Sequence, residues 1–167
     1  NIFEFNSRSD VEVQPIYAEE RMLQILTSNM LLVRVTGERS ASTLLFQQRK
    51  LMNQDGAIEN LNDIKDMVDL GLEAWKTSAI ELGKLLDKAW NLKKKLSPAI
   101  SNNKIDLMYQ ELKGRGFYGG KLLGAGGYGY LLMVGNQAVV TETHLSKEYS
   151  TLALNLDTNG SQVIYTS

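Results

Sequence analysis

The residues of this chain best suited to chemistry lie in one run, Gly119-Gly120-Lys121-Leu122-Leu123-Gly124-Ala125-Gly126-Gly127-Tyr128-Gly129. Glycine reaches positive φ and lets another group come close to its backbone, because no β-carbon intervenes. Successive N–H groups in such a turn can converge on an anion, which is why phosphate-binding loops are glycine-rich. Gly124, Gly126 and Gly129 fit G-x-G-x-x-G, the dinucleotide fingerprint, but that fingerprint requires a helix after the loop. Here residues 130–134, Tyr-Leu-Leu-Met-Val, follow and Gly135 closes them, which reads as a strand. The form G-x-x-x-x-G-K-[ST] fails, since no Lys-Ser/Thr pair follows the glycines. A glycine-rich hairpin that only packs closely against a neighbour is the bland alternative.

Other polar groups carry weaker signals. Lys93, Lys94 and Lys95 form a basic cluster at the end of a predicted helix, where a solvated face complementing the helix dipole is expected. Lys121 precedes an apolar strand pair and reads as a solvated edge lysine ahead of a phosphate ligand. His144 has no partner visible in the sequence and is expected at or near the surface. Glu142, Glu148 and Asp157 form no acid–base pair that spacing reveals.

These residues need a scaffold, and composition bounds it. The chain has 167 residues, suited to one domain. Hydrophobic residues are 43% and charged residues 22%, an ordinary globular balance that argues against disorder. With Lys+Arg 18 against Asp+Glu 19, net charge is -1, so no global basic field draws in nucleic acid or an anionic membrane. The absence of cysteine excludes disulfides and thiolate chemistry, and one histidine cannot make a His-rich metal site. No apolar run approaches the ~18 residues of a membrane span. A chain that begins at Asn1 without a basic leader is expected to be a fragment or processed product of a cytoplasmic protein.

Element by element, residues 1–16 read as a β-hairpin closed by Pro15, with turn formers at Ser7 to Asp10. Residues 18–27 are helical in composition. Residues 30–35 (MLLVRV) are a continuous apolar run expected inside the sheet. Leu61, Ile64, Val68, Leu72 and Trp75 form one helical stripe; Leu82, Leu85, Leu86, Ala89, Leu92 and Leu96 form a second. Ile105, Met108, Tyr109 and Leu112 form a third, capped by Asn102 or Asn103. Residues 138–141 (AVVT) favour a strand by propensity. Residues 152–156 and 163–165 around a polar turn predict a closing hairpin. Strands at both ends with helices between them predict an α+β domain, a mostly antiparallel sheet with helices packed on one face.

The segment from Gly119 to Val134 resembles the C-terminal glycine motif of the GHMP kinases, in which a strand runs into a glycine-rich loop and then an apolar strand. Residues 61–65 (LNDIK), 90–97 (WNLKKKLS), 100–102 (ISN), Ile105, Asp106, Tyr109 and the closing residues 160–165 (GSQVIY) are similar to the heptose 7-phosphate kinase and fucokinase branch. Residues 1–5 (NIFEF) resemble a strand near the middle of those chains. The resemblance implies a ferredoxin-like C-terminal domain over residues 1–167, with the last strands of the N-terminal half at about 1–16 and the ATP-loop domain absent. It implies an ATP- and Mg²⁺-dependent sugar kinase as the intact protein, with a sugar acceptor, the missing N-terminal domain as partner, and no catalytic or metal residue in this chain. The implied cleft residues are Gly124, Ala125, Gly126, Gly127, Thr36 and Arg39. Thr36-Gly37-Glu38-Arg39-Ser40-Ala41 looks like the family's T-G-x-x-R-x-A loop but is one residue short. Two readings of Arg39 stand: a guanidinium holding a phosphate or sugar hydroxyl, and a salt bridge at a helix start. Thr36 and Ser40 also fit plain turn and cap roles. Tyr128 stands where relatives usually carry glycine, and can crowd the loop, stack on a ligand or point away. The alternative function is a stand-alone, non-catalytic α+β module that uses the glycine loop to hold a ligand.

Overall fold

A computed structural model describes residues 1–6, 10–17, 19–37, 56–157 and 163. Ile2–Phe5 (β1) and Val11–Gln14 (β2) pair antiparallel as a separate two-stranded ribbon, and Pro15 follows directly. The hairpin appears as expected, while its turn formers Ser7, Arg8 and Ser9 lie outside the described residues.

Glu20–Ser28 (α1) leads through Asn29 into Met30–Val35 (β3). The MLLVRV run lies inside the four-stranded sheet: β3 is flanked by Gly129–Val134 (β5) and Thr151–Ala153 (β6), with Gly119–Leu122 (β4) at the far edge beside β5. All three pairings are antiparallel. Asn29 fixes the register at one end: its side chain donates to the Gly135 carbonyl (2.8 Å), and Gly135 N–H donates to the Asn29 carbonyl (2.9 Å).

Ala57–Thr77 (α2) and Ala79–Lys95 (α3) form a helical hairpin. Ser78 separates them in an extended conformation, and its hydroxyl accepts from Glu81 N–H (3.2 Å), capping α3. The buried side of α2 matches the expected stripe only in part, with Leu61, Ile64 and Leu72 half-buried. Met67 and Ala74 are buried while Val68 is 51% exposed. Gly71 faces Leu85 of α3, where a β-carbon would sit 3.6 Å from the leucine. Close helix contact selects small residues, so a search for large apolar residues misses Gly71 and Ala74. Asn103–Gly114 (α4) starts at Asn102, whose side-chain Oδ1 accepts from Ile105 N–H (3.1 Å).

Residues 138–141 are not a strand. They belong to the helix Gln137–Leu145 (α5), which Asn136 caps by accepting from Val139 N–H (2.9 Å). The cap and the burial of Val140 and Thr143 against the sheet layer outweigh the β-propensity of two valines. At the C-terminal end, β6 pairs with β3; the second half of the predicted closing hairpin falls largely on residues outside those described.

One face of the sheet presents Leu31, Val33, Val35, Leu122, Leu131 and Met133 to Trp90 of α3, Ile105, Tyr109 and Leu112 of α4, and Val140 of α5. Burying each large apolar side chain contributes about 1.5–3 kcal/mol. At one end of the opposite face, Met30 and Val134 meet Leu26 of α1, Ala74 of α2 and Leu82 of α3. The fold is α+β with an antiparallel sheet, as predicted. Among the described residues no helix is long and apolar enough to cross a membrane.

Candidate functional site

The glycine run lies between two strands. Gly119 and Gly120 are in β4, residues 123–128 form the loop, and Gly129 opens β5. A strand after the loop removes the dinucleotide reading, which requires a helix N-terminus there.

The glycines serve different ends. A β-carbon on Gly119 would strike the Gly83 carbonyl and Asp87 of α3, and one on Gly120 would strike the Leu132 carbonyl. This pair therefore lets α3 and β5 approach the edge strand. Tyr109 locks the contact: its hydroxyl donates to Asp87 Oδ1 (2.7 Å) and accepts from Gly120 N–H (3.0 Å). Burial, and next the Asp87 hydrogen bond, hold this phenol protonated far above its usual range.

The loop is anchored to its own chain along its length. Lys93 Nζ donates to the Gly124 carbonyl (3.0 Å). Gly127 N–H donates to the Ile100 carbonyl (3.0 Å), and Asn102 Nδ2 donates to the Gly127 carbonyl (3.2 Å). Gly126, at φ +119°, lies so close to Ile100 that a β-carbon would stand 2.8 Å from the Ile100 carbonyl. Its glycine is therefore required by an internal contact. Gly124, at φ +76°, has open space where its β-carbon would be, so the accessible backbone is at this end.

The lysines depart from the sequence reading. Lys93 is bonded to the loop, and Lys94 pairs with Asp106 of α4 (3.0 Å) while its ammonium lies 5.8 Å from the Trp90 ring centroid. Two of the three are thus structural contacts, and Lys95 alone keeps the solvated role. Lys121, half-buried on the edge strand, faces Lys93; burial, and then the Lys121 charge, lower the Lys93 pKa. His144 is exposed, with Nδ1 2.8 Å from Thr151 Oγ1.

Thr36 follows β3 at the other end of the loop. It lines an open cleft of about 710 Å³ with Arg34, Gly37, Lys104, Tyr128 and Tyr130. Lys104, in the first turn of α4, donates to Thr36 Oγ1 (2.7 Å) and to its carbonyl (3.2 Å). Tyr128 lies beside Gly37 and lines the cleft. Thr36 is thus brought to Tyr128 and Gly129, with Gly127 adjoining Gly37, whereas Gly124 lies by Lys93. Arg39 and Ser40 lie outside the described residues. Sequence reading missed Arg34 and Lys104. The one available signal was position: Arg34 is the lone charge in an apolar strand, and Lys104 is two residues past a helix cap.

Magnesium calls for oxygen ligands, above all carboxylates. The described lining offers two cations, hydroxyls and backbone, and among the described residues no group of three or more His, Asp or Glu is placed to hold a metal. No residue described here is assigned to Mg²⁺.

The arrangement is an antiparallel sheet domain with a strand–glycine loop–strand unit bordering a cationic cleft. No family model matches the chain. It is 24% identical over 132 residues to D-glycero-alpha-D-manno-heptose 7-phosphate kinase of Campylobacter jejuni, covering 78% of this chain and 39% of that protein. It is 28% identical over 133 residues to the bifunctional fucokinase/GDP-fucose pyrophosphorylase of Arabidopsis thaliana, covering 77% of this chain and 12% of that one. The fold is shared with the mevalonate kinase of Methanococcus jannaschii: TM-score 0.64 at 19% identity, covering 88% of this chain and 45% of that chain. The chain is related to the GHMP-superfamily sugar kinases. It spans less than half the length of these relatives.

Proposed function

We propose that this chain forms one wall of an ATP-dependent kinase that phosphorylates a hydroxyl of a sugar or sugar phosphate, a GHMP-type reaction in the cytoplasm. The observation that carries the reading is the β4–loop–β5 unit, with open backbone at Gly124 and a cleft beside Thr36 at its other end. The two curated relatives, named as a heptose-phosphate kinase and a fucokinase, support it. In this reading residues 124–127 border the path of the transferred phosphoryl group, and Thr36 and Arg39 approach the acceptor. Phosphoryl transfer depends on positioning and on stabilising spread negative charge. Gly127 N–H is already engaged by Ile100, so the loop offers shape and access more than a full ring of donors. ATP, Mg²⁺ and the group that orients the reacting hydroxyl would be held by a further domain, and this chain alone would be inactive.

The β1–β2 ribbon favours that larger protein over a stand-alone binding module. Phe3 pairs with Val13 and Phe5 with Val11, which puts all four on one face. They are 56%, 52%, 77% and 47% exposed in that order. An apolar ribbon face left open to water is what a missing neighbour would cover.

The test is γ-phosphoryl transfer from ATP·Mg²⁺ to a panel of sugars and sugar phosphates. It compares residues 1–167 with the product of the complete reading frame that contains them. Transfer by the complete product and negligible transfer by residues 1–167 is expected. Substantial turnover by residues 1–167 overturns the fragment reading. No transfer to any acceptor by the complete product overturns the kinase reading in favour of the binding module.

A further inference from the structure

The open end of the glycine loop carries two cations that the packing of the domain leaves without a counter-charge. Gly119 and Lys121 are two residues apart on β4, so their side-chain positions share one face of the strand. α3 comes in on that face, since a β-carbon at Gly119 would meet Gly83 and Asp87. Lys121 therefore extends on the α3 side. In the last turn of α3 stands Lys93, with its Nζ 3.0 Å from the Gly124 carbonyl. Both lysines are half-buried. Among the described residues neither is paired with a carboxylate, whereas the adjoining Lys94 has Asp106 and Lys113 has Asp87. Like charges brought together out of bulk water repel, and the lowered Lys93 pKa, caused first by burial and then by Lys121, agrees with that. An anion shared between the two ammonium groups relieves the repulsion. Gly124 gives it access, with φ at +76° and open space where a β-carbon would be. The Gly124 carbonyl alone would turn an oxyanion away. Lys93 covers that oxygen with one N–H and has two more to offer a ligand.

We infer that Lys93 and Lys121 form an anion subsite at the Gly124 end of the loop, and that it takes the terminal phosphate of a nucleoside triphosphate. Lys93 is also the positioning residue for Gly124, whereas Lys121 acts through its charge. The inference rests on the reading of the loop as a kinase wall, and it gives that wall its own source of positive charge for a phosphate rich in acceptor oxygens.

Binding is measured directly on this chain, so the answer does not depend on turnover. Tripolyphosphate, inorganic phosphate and adenosine are titrated while the Gly124 amide and the ε-carbon signals of Lys93 and Lys121 are followed by NMR. Tripolyphosphate is expected to shift all three signals, to bind at least about tenfold more tightly than inorganic phosphate, and to weaken with added salt. Adenosine is expected to leave them unmoved. K93Q and K121Q are each expected to lower tripolyphosphate affinity about tenfold, with K93R and K121R keeping most of it. K121Q is the cleaner variant, because Lys121 holds no other group among the described residues; hydrogen exchange at Gly124 should stay as in the parent while affinity falls. Thermal melts confirm that each variant folds. Unaltered affinity in both folded variants overturns the inference. So does an equal loss in K95Q, which would mean diffuse attraction to a basic surface. Inorganic phosphate binding as tightly as tripolyphosphate overturns the triphosphate assignment and leaves a site for a single phosphate. Transfer by the complete product with kcat and the KM for ATP unchanged in K93Q and K121Q overturns the inference while the kinase reading stands. Absence of any transfer overturns that reading, and the titration still decides the subsite.

Discussion

The Ile100 carbonyl occupies the space a side chain on Gly126 would need, 2.8 Å from the ideal β-carbon position. Gly126→Ala therefore meets two obstacles, backbone collision and a φ of +119° that L side chains rarely adopt. Gly124→Ala meets only the second, since its β-carbon would point into open space. Urea melts should show a loss of about 2–4 kcal/mol for Gly126→Ala and about 1 kcal/mol for Gly124→Ala. Equal losses would mean the Ile100 contact is not what demands glycine at 126.

Asn102 performs two tasks with one amide. Its oxygen caps α4 and its nitrogen holds the Gly127 carbonyl. Asn102→Ala should cost about 1–2 kcal/mol. Asn102→Asp keeps the cap and removes the donor, so it should retain most of the stability yet speed hydrogen exchange at the Gly127 amide. If both variants leave that amide as protected as before, the loop is not held from α4.

Tyr109→Phe removes a hydroxyl from between Asp87 and Gly120 and leaves a buried N–H unpaired, for an expected loss of about 1–3 kcal/mol. Alkaline titration gives a second reading. Both Tyr109 and Tyr149 have folded-state pKa values above the ordinary 10.0; burial is the first cause in each, and Tyr149 is pushed up to about 12. The stability they contribute is fully present below pH 10 and is lost as the pH rises through the folded-state values. Unfolding free energy should fall from pH 10 upward, and Tyr109→Phe should flatten the slope by about 1.4 kcal/mol per pH unit. A parallel slope in the variant would place the titrating group elsewhere.

Lys121→Gln removes the charge that, after burial, depresses the Lys93 pKa. The Lys93 titration, followed through its ε-carbon shift, should move up toward the ordinary value of 10.5. An unmoved midpoint would leave burial as the whole cause.

The sequence was most legible where one local signal dominated. The two strands of the ribbon, the continuous MLLVRV strand and the Asn102 cap each appear where expected. The glycine loop was also legible as a strand–loop–strand unit, because the apolar strand after Gly129 is too short for a helix. Reading failed where tertiary contact reset a local preference: Asn136 and the sheet layer turned residues 138–141 into helix, and the small residues Gly71 and Ala74 join Met67 on the buried side of α2 while Val68 faces out. The cleft cations were hidden for a different reason. Lys104 and Thr36 are 68 positions apart, and nothing local in either stretch announces that they meet.

The central place of β3 also governs the order of events during synthesis. Its end is pinned by Asn29 to Gly135, 106 residues later, and its other neighbour, β6, emerges later still. This largely apolar strand must therefore wait, unpaired along both edges, until β5 and β6 have left the ribosome. Loop closure over such a span is slow, and an exposed strand of this kind is prone to intermolecular pairing. Truncation just before β5 would leave β3 with neither partner and should yield an aggregating chain, whereas the local α2–α3 hairpin would be free to assemble early.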